Sequence, residues 1–459
     1  MKELSKRFLT VLFFFSLALA SLAQDCAVYH EVAAGETLYG ISRRYGFKVN
    51  ELQAVNAGLT ENIHVGQRIC IPSSNDGPEV EPATKPKTVV PTVSTKKKTS
   101  YNLALLLPFA TYEMNGDSLS ERSSKLRGVA INLYRGAQMA KEQLEKRGVS
   151  ATIYVLDVGD SKEAVQQVCK RMEELNIDVV IGPLFKDPLI EVGKWADKRD
   201  VHVVVPVKMN NKILLTTHHM SKIYPSTASQ WDYMARYAAI KYPEKKVFLT
   251  YSSVKEDGVA AAARRGYREI KTQQYKGDSL QCFDVSKSYS AFTAAVTAAK
   301  GQAIVLNACT DSKTFGGVFS ALSGLSDVIV LGGEECDDYD YLSRDTRERF
   351  DVAYSKPVFL NYFDENDLEW VTEFRREFKS EPSEFAAIGH DVVLYYATAL
   401  YQFGTDFPEH MNEVDVNGLV GMGFDFFNTG QKSGFENTFV NVVEMKDFKW
   451  IQLNSSDSN

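Results

Sequence analysis

Cysteine and histidine are scarce in this sequence. Six cysteines among 459 residues are too few for a disulfide-stapled scaffold, although an exported chain of this kind can still use a bridge or two. With seven histidines, no Asp-x-x-His is present to serve a GDSL-type serine, and no cysteine–histidine or zinc constellation of a wall hydrolase occurs. Excess positive charge is also missing: the net charge of −7 gives none of the clustered basic surface that nucleic-acid binding needs. The one long apolar run, Phe8 to Ala20, is too short to span a bilayer.

What is present begins with an export signal. Lys2, Lys6 and Arg7 precede that apolar run, and Ser21-Leu22-Ala23 supplies small residues for cleavage after Ala23. Residues 1–23 therefore read as a secretory signal peptide, and the mature chain as a soluble protein of the periplasm or cell envelope with no transmembrane segment. Gln24 and Asp25 are the wrong neighbours for lipid attachment at Cys26. The remainder, 44% hydrophobic and 24% charged, has the composition of two or three globular domains. Residues 74–100 (SNDGPEVEPATKPKTVVPTVSTKKKTS) combine recurring prolines with an absence of aromatics. Such a stretch cannot bury enough apolar surface to fold and is expected to be an extended tether.

Residues 26–73 form a small unit. Tyr29 to Val32 alternate as a strand, Gly35 permits a turn, and Thr37 is placed to cap a helix on which Leu38, Ile41 and Tyr45 share a face. A second short helix carries Leu52 and Val55 and ends at Asn56 and Gly58, and Ile69 and Ile71 alternate in a closing strand. A βααβ unit of this size has a thin core, and a disulfide between Cys26 and Cys70, near the two strands, is expected to compensate.

The pieces HEV, GETLYGISRRYG, LQAVNAGL and IHVGQRICIP resemble a LysM domain in order and spacing. That resemblance implies binding of N-acetylglucosamine-containing glycan such as peptidoglycan. Carried over by position, the sugar groove would involve Gly35, Glu36, Thr37, Leu38 and Tyr39, with Leu59, Asn62 and Ile63 opposite. Lys48 stands where a capping Ser or Thr usually opens the second helix.

The body, 101–453, alternates strands and helices. LALLLPF, ATIYVLDV, DVVIGP and VHVVVPV are apolar runs separated by helical spacing, and the pattern restarts after Ile223 with KVFLTY, LQCFDV, AIVLNA and DVIVLGG. This βαβ repetition predicts an α/β fold with parallel sheets covered on both faces. PVFLNYF, two helices at 366–379 and 384–403, a hairpin of GFDFFN with FVNVVEM, and KWIQL follow. The first lobe is expected over about 101–224 and 358–415, the second over about 225–355 with part of the hairpin.

RGAQMAKEQLEKRGVSATIYVLDVGDSKEAVQQVCKRMEELNIDVVIGPLF, VHVVVPV, YPS, EFAAIGHDVVLYYATALYQFG and FDFFNTG give the body a resemblance to the type I periplasmic-binding-protein fold. With the LysM unit, the arrangement is similar to an envelope protein common in Bacteroidota. Ligands of open α/β sheets sit beyond the carboxyl ends of the strands, so the candidate cleft residues are Lys186, Asp187, Lys208, Asn210, Asn211, Asp311 and Glu334. In amino-acid receptors of this fold hydroxyl residues follow the GP turn; here GPLFKDP and PVKMNN place Lys186, Asp187, Lys208, Asn210 and Asn211 instead, which counts against an amino-acid ligand. Cys309 and Cys336 follow neighbouring strands and are a candidate second bridge, whereas Cys169 and Cys282 read as buried fillers.

GDSL occurs at Gly116 to Leu119 and Gly277 to Leu280, but neither copy follows a strand directly, as a serine nucleophile requires. His218-His219 lacks further spaced ligands for a metal, and His390-Asp391 reads as helix packing. No catalytic residue, cofactor or metal is expected. The sequence thus points to a non-enzymatic protein anchored on peptidoglycan, whose two-lobed body binds a small molecule or a cell-wall synthesis partner. The alternatives are a receptor for an ABC importer and a regulator of peptidoglycan synthesis resembling the outer-membrane activators of penicillin-binding proteins.

Overall fold

A computed structural model describes residues 26–32, 52, 53, 55, 56, 59, 67–72, 97–111, 120–159, 161–252, 257–274, 280–338, 342–428 and 433–454. The expected leader, the tether up to residue 96, both GDSL serines and the glycan-contact positions Gly35 to Tyr39, Asn62 and Ile63 lie outside these residues. The chain divides into two compact units, Met1–Val89 and Val90–Asn459.

In the first unit, β1 (Cys26–Glu31) pairs antiparallel with β2 (Arg68–Pro72), with Tyr29 opposite Cys70 and Glu31 opposite Arg68. Val32, Leu52, Leu59, Ile69 and Ile71 are buried in it, among them Leu59, expected at the sugar groove. Asn56 does more than end a helix. Its side-chain amide donates to the Leu52 carbonyl (2.8 Å) and the Cys70 carbonyl (2.7 Å), and its Oδ1 accepts from the Cys70 N–H (2.7 Å). One side chain thereby fastens the helical turn to the closing strand.

The body opens with β3 (Tyr101–Leu107), α1 (Glu121–Lys146), β4 (Ala151–Asp157), α2 (Lys162–Glu174), β5 (Val179–Ile181), α3 (Lys186–Asp197), β6 (His202–Val205) and β7 (Met220–Lys222). It continues through α4 (Thr227–Lys241), β8 (Lys246–Tyr251), α5 (Asp257–Gln274), β9 (Gln281–Asp284), α6 (Ser290–Ala298), β10 (Ala303–Asn307), α7 (Ser312–Leu322), β11 (Val328–Gly332), α8 (Arg344–Arg349) and β12 (Ala353–Lys356). The last part holds α9 (Glu365–Phe378), α10 (Glu384–Phe403), β13 (Phe426–Asn428), β14 (Phe435–Asn437), β15 (Asn441–Lys446) and β16 (Lys449–Gln452).

Two seven-stranded sheets result, ordered β13-β14-β7-β6-β5-β3-β4 and β16-β15-β12-β11-β10-β8-β9. Pairing is parallel except at β13 in the first and at β15 and β16 in the second. Each sheet is covered on both faces, by α1 and α10 against α2 and α3 in the first, which explains the unbroken apolar runs of β3 and β5. The α1–α10 contact is backbone to backbone: a side chain at Gly136 would collide with the Ala386 carbonyl, and one at Gly389 with that of Leu133. Serine or aspartate caps start α1, α2, α4, α7, α8 and α9.

Strand β12 (Ala353–Lys356) stops just before PVFLNYF: Tyr354 is fully buried against Trp450, and Pro357 lacks the N–H a ladder needs. Two expectations are corrected. GFDFFN and FVNVVEM do not form one hairpin. β13 pairs with β14 in the first sheet, and the chain then crosses so that β15 pairs with β16 in the second. Cys309 and Cys336 are not bridged and keep their thiols; both are buried in the second lobe's core, and the Cys336 sulfur packs on Gly332. No helix among the described residues is long and apolar enough to cross a membrane.

Candidate functional site

The candidate loops follow the carboxyl ends of the parallel strands in each sheet, and the chain passes between the two sheets three times, at 223–226, 357–359 and 438–440. Loops 112–119, 253–256 and 339–341 of this region lie outside the described residues. After β3 the chain reverses around Asp157, whose carboxylate accepts from the N–H groups of Phe109 (2.8 Å), Ala110 (3.2 Å) and Thr111 (2.9 Å). From the other side Arg127 donates to the carbonyls of Phe109 (2.7 Å) and Ala110 (3.1 Å). Phe109 to Thr111 and Asp157 lie in the expected candidate loops 108–124 and 157–160, where Asp157 fixes the chain after β3.

The expected cleft residues separate into roles. Lys208, after β6, and Glu334, after β11, form an ion pair that joins the two lobes directly. Asp311 caps α7 through the Thr314 N–H (2.9 Å) and accepts from Ser252 Oγ (3.0 Å). Partial burial pushes its carboxyl up, but these hydrogen bonds win and hold it below the usual range. Asn210 caps the short 3-10 turn by accepting from the Lys212 N–H (2.9 Å). Lys186 and Asp187 are exposed in the first turn of α3, which Phe185 leaves without a side-chain cap.

Asn211 leads to the hinge. Its Nδ2 donates to Glu436 Oε2 (2.7 Å), and Glu436 Oε1 also accepts from the Ser226 N–H (2.5 Å). Lys222 Nζ lies 3.5 Å from the same carboxylate and donates to the Met209 carbonyl (3.2 Å). The Lys222 and Glu436 side chains are 1% and 4% exposed, so this is a fully desolvated ion pair where β7 and β14 run side by side. Burial lowers the Lys222 pKa, with Glu436 opposing. Asn437 ties the crossings together: its Nδ2 donates to the carbonyls of Ile223 (3.0 Å) and Gly423 (2.9 Å). Asn441 Nδ2 donates to the Gly421 carbonyl (3.1 Å), which also accepts from the Phe359 N–H (2.8 Å).

Behind the crossings, fully buried Asp391 accepts from the N–H groups of Val420 (2.9 Å), Gly421 (2.8 Å) and Met422 (2.8 Å) and contacts His390 Nδ1 (2.8 Å). Asp367 accepts from the Asn361 N–H (2.8 Å). Burial pushes the Asp367 carboxyl up to about 7, helped by Asp364 and Asp391 and opposed by the Asn361 N–H. The fold prefers its protonated form, so its stabilisation is complete below the ordinary carboxylate pKa of about 4 and is lost as pH rises through about 7. Asp367→Asn is therefore expected to be more stable than wild type at pH 8, by on the order of 1 kcal/mol after allowance for solvent screening. The two melting curves should converge toward pH 4; equal differences at both pH values would contradict this assignment.

A serine–histidine pair also exists that the sequence did not reveal. His202 Nε2 lies 2.9 Å from Ser221 Oγ, which lies 2.5 Å from Tyr396 OH. Phe407 and Tyr396 seal the pair into the first lobe, and burial lowers the His202 pKa to about 3. A base so weak, without access to solvent, cannot activate the serine.

A LysM domain model matches residues 30–72, and a periplasmic binding protein model matches residues 118–446. No curated protein matches the chain. A putative branched-chain amino acid ABC transporter structure from Rhodospirillum rubrum aligns over 77% of this chain and 99% of its own, at 11% identity and a TM-score of 0.56. An ABC transporter substrate-binding protein from Desulfitobacterium hafniense covers 77% of this chain and 100% of its own, at 18% identity and a TM-score of 0.46. The LpoA (YraM) C-domain from Haemophilus influenzae, a regulator of PBP1A, covers 76% and 99%, at 12% identity and a TM-score of 0.48. At such identities the Rhodospirillum likeness speaks for the fold alone.

Proposed function

Because the chain belongs to the periplasmic binding protein family and carries a LysM domain ahead of that body, we propose that it is a non-enzymatic exported protein held on peptidoglycan. Its two lobes bind a small molecule or a cell-wall synthesis protein in the cleft. The observation that carries this reading is the Lys208–Glu334 pair across the cleft in front of a triply crossed hinge. A ligand or partner entering there competes with a partly exposed ion pair worth about 1 kcal/mol or less. Gly35, Glu36, Thr37, Leu38, Tyr39, Leu59, Asn62 and Ile63 are the proposed sugar contacts, of which Leu59 is itself buried. Cys70 is not among the free thiols, and Cys26 is its proposed partner. The leader 1–23 would deliver the protein to the periplasm, and tethering would raise the local concentration of the body at the wall.

The test is sedimentation with isolated sacculi, comparing the full chain with residues 90–459. The full chain is expected in the pellet and the body in the supernatant; a full chain that stays soluble overturns the anchoring. Mass spectrometry of small molecules retained by the body, with thermal-shift screening, addresses the cleft. A shift with one metabolite class supports a receptor, and co-purification with a wall synthase without such a shift supports a regulator. Release of acetylated sugars from the sacculi would overturn the non-enzymatic reading.

A further inference from the structure

The amino ends of β6 and β7 lie on the edge of the first sheet away from the cleft. There the structure supplies what the dipeptide His218-His219 lacks in sequence. His218 and His219 lie in the bend just before β7, and their imidazoles converge, with ring centroids 3.8 Å apart and planes tilted by 42°. Asp197, the last residue of α3, joins them, and the ligating atoms of Asp197, His218 and His219 all lie within 4.8 Å of one another. His218 Nδ1 is 4.0 Å from Asp197 Oδ1, and His219 Nδ1 is 3.5 Å from Asp200 Oδ1.

The backbone holds this arrangement in place. Buried Thr217 donates its hydroxyl to Asp197 and accepts from the His219 N–H (3.0 Å), while the His219 carbonyl accepts from the Val203 N–H (2.8 Å). The His218 side chain is 60% exposed, so its ring can rotate, while Thr217 holds Asp197. Ligand atoms around a zinc-sized ion sit about 2.0–2.2 Å from it, hence roughly 3.3 Å from one another. Rotation of the His218 ring narrows the remaining gap.

We propose that Asp197, His218 and His219 form a binding site for a divalent transition-metal ion of the zinc class, with water completing its coordination. Two imidazoles with one carboxylate suit zinc, copper, nickel or cobalt, whereas magnesium and calcium favour all-oxygen sites. The site is separate from the cleft, and the ion would clamp the end of α3 to the strand that enters the hinge at Ile223.

The full chain, produced without a polyhistidine tag and stripped with chelator, is titrated calorimetrically with zinc chloride and spectroscopically with cobalt(II). One equivalent of zinc and a visible cobalt d–d absorption are expected. His218→Ala, whose exposed ring makes its loss harmless to folding, and His219→Ala should each weaken binding about 10-fold or more. His410→Ala, at another exposed histidine–carboxylate pair (His410 Nδ1 to Glu413 Oε2, 3.1 Å), should leave binding unchanged. Absence of saturable uptake, or uptake that survives His218→Ala combined with His219→Ala, overturns the site. Unchanged melting curves of the metal-free variants exclude misfolding as the reason for lost binding.

Discussion

Asp391→Ala is expected to destabilise the body by at least about 3 kcal/mol, because it orphans three buried backbone N–H groups at once, each costing about 1–3 kcal/mol. The amides of Val420, Gly421 and Met422 belong to a buried segment beside the chain crossings, and no other side chain among the described residues is bonded to them. Asp391→Asn retains one oxygen acceptor and should fall between the two. Urea unfolding midpoints and the rate of proteolysis near residues 418–423 read the effect. A variant that unfolds with wild-type midpoint and cleavage rate would show that these hydrogen bonds are dispensable.

Breaking the buried hinge pair is expected to cost about 3–5 kcal/mol from either side, since each single variant leaves an uncompensated charge in the interior. Lys222→Met strands the Glu436 carboxylate with only the Asn211 amide and the Ser226 N–H. Glu436→Gln strands the Lys222 ammonium beside the Met209 carbonyl. Lys222→Met combined with Glu436→Leu removes both charges and should recover most of the loss, the non-additivity expected of directly interacting groups. The sign with pH follows from Lys222, whose pKa burial already lowers. Without its counter-charge the folded state disfavours the ammonium further, so the Glu436→Gln deficit is full at neutral pH. It shrinks as pH rises toward the ordinary lysine range. Denaturant midpoints across that pH range decide it; additive single and double variants would mean the pair is not coupled.

Much of the fold was legible because helices and strands of the body carry unambiguous periodicity. Tyr101–Leu107, Ala303–Asn307 and Val328–Gly332 are buried on both faces and read as continuous apolar runs. The start of α1 was not legible, since Glu121 to Gly128 are mostly polar and show no apolar face, their helix signals being the Ser120 cap and the Glu121–Lys125 spacing. β7 escaped because its three residues include a lysine that only the tertiary partner Glu436 makes tolerable. The cleft was legible as a location but not as chemistry. Lys208 and Glu334 were both expected there, yet nothing local indicates that they meet each other. Asp311 and Asn210 carry ordinary cap spacing and proved to be caps. His218-His219 shows the limit most plainly, because Asp197 reaches it from a helix that only the folded chain brings alongside.

The crossing between β14 and β15 has a bearing on how the molecule is made. The first sheet is incomplete until Phe426–Asn437 have been synthesised, and the second until Asn441–Gln452 follow. Neither lobe can finish folding as a nascent, amino-terminal piece, and the pairings of β14 with β7 and of β15 with β12 join segments far apart along the chain, which slows folding. The polypeptide therefore stays open until its tail is released, and splitting it between the lobes would yield two fragments that each lack an edge of their sheet.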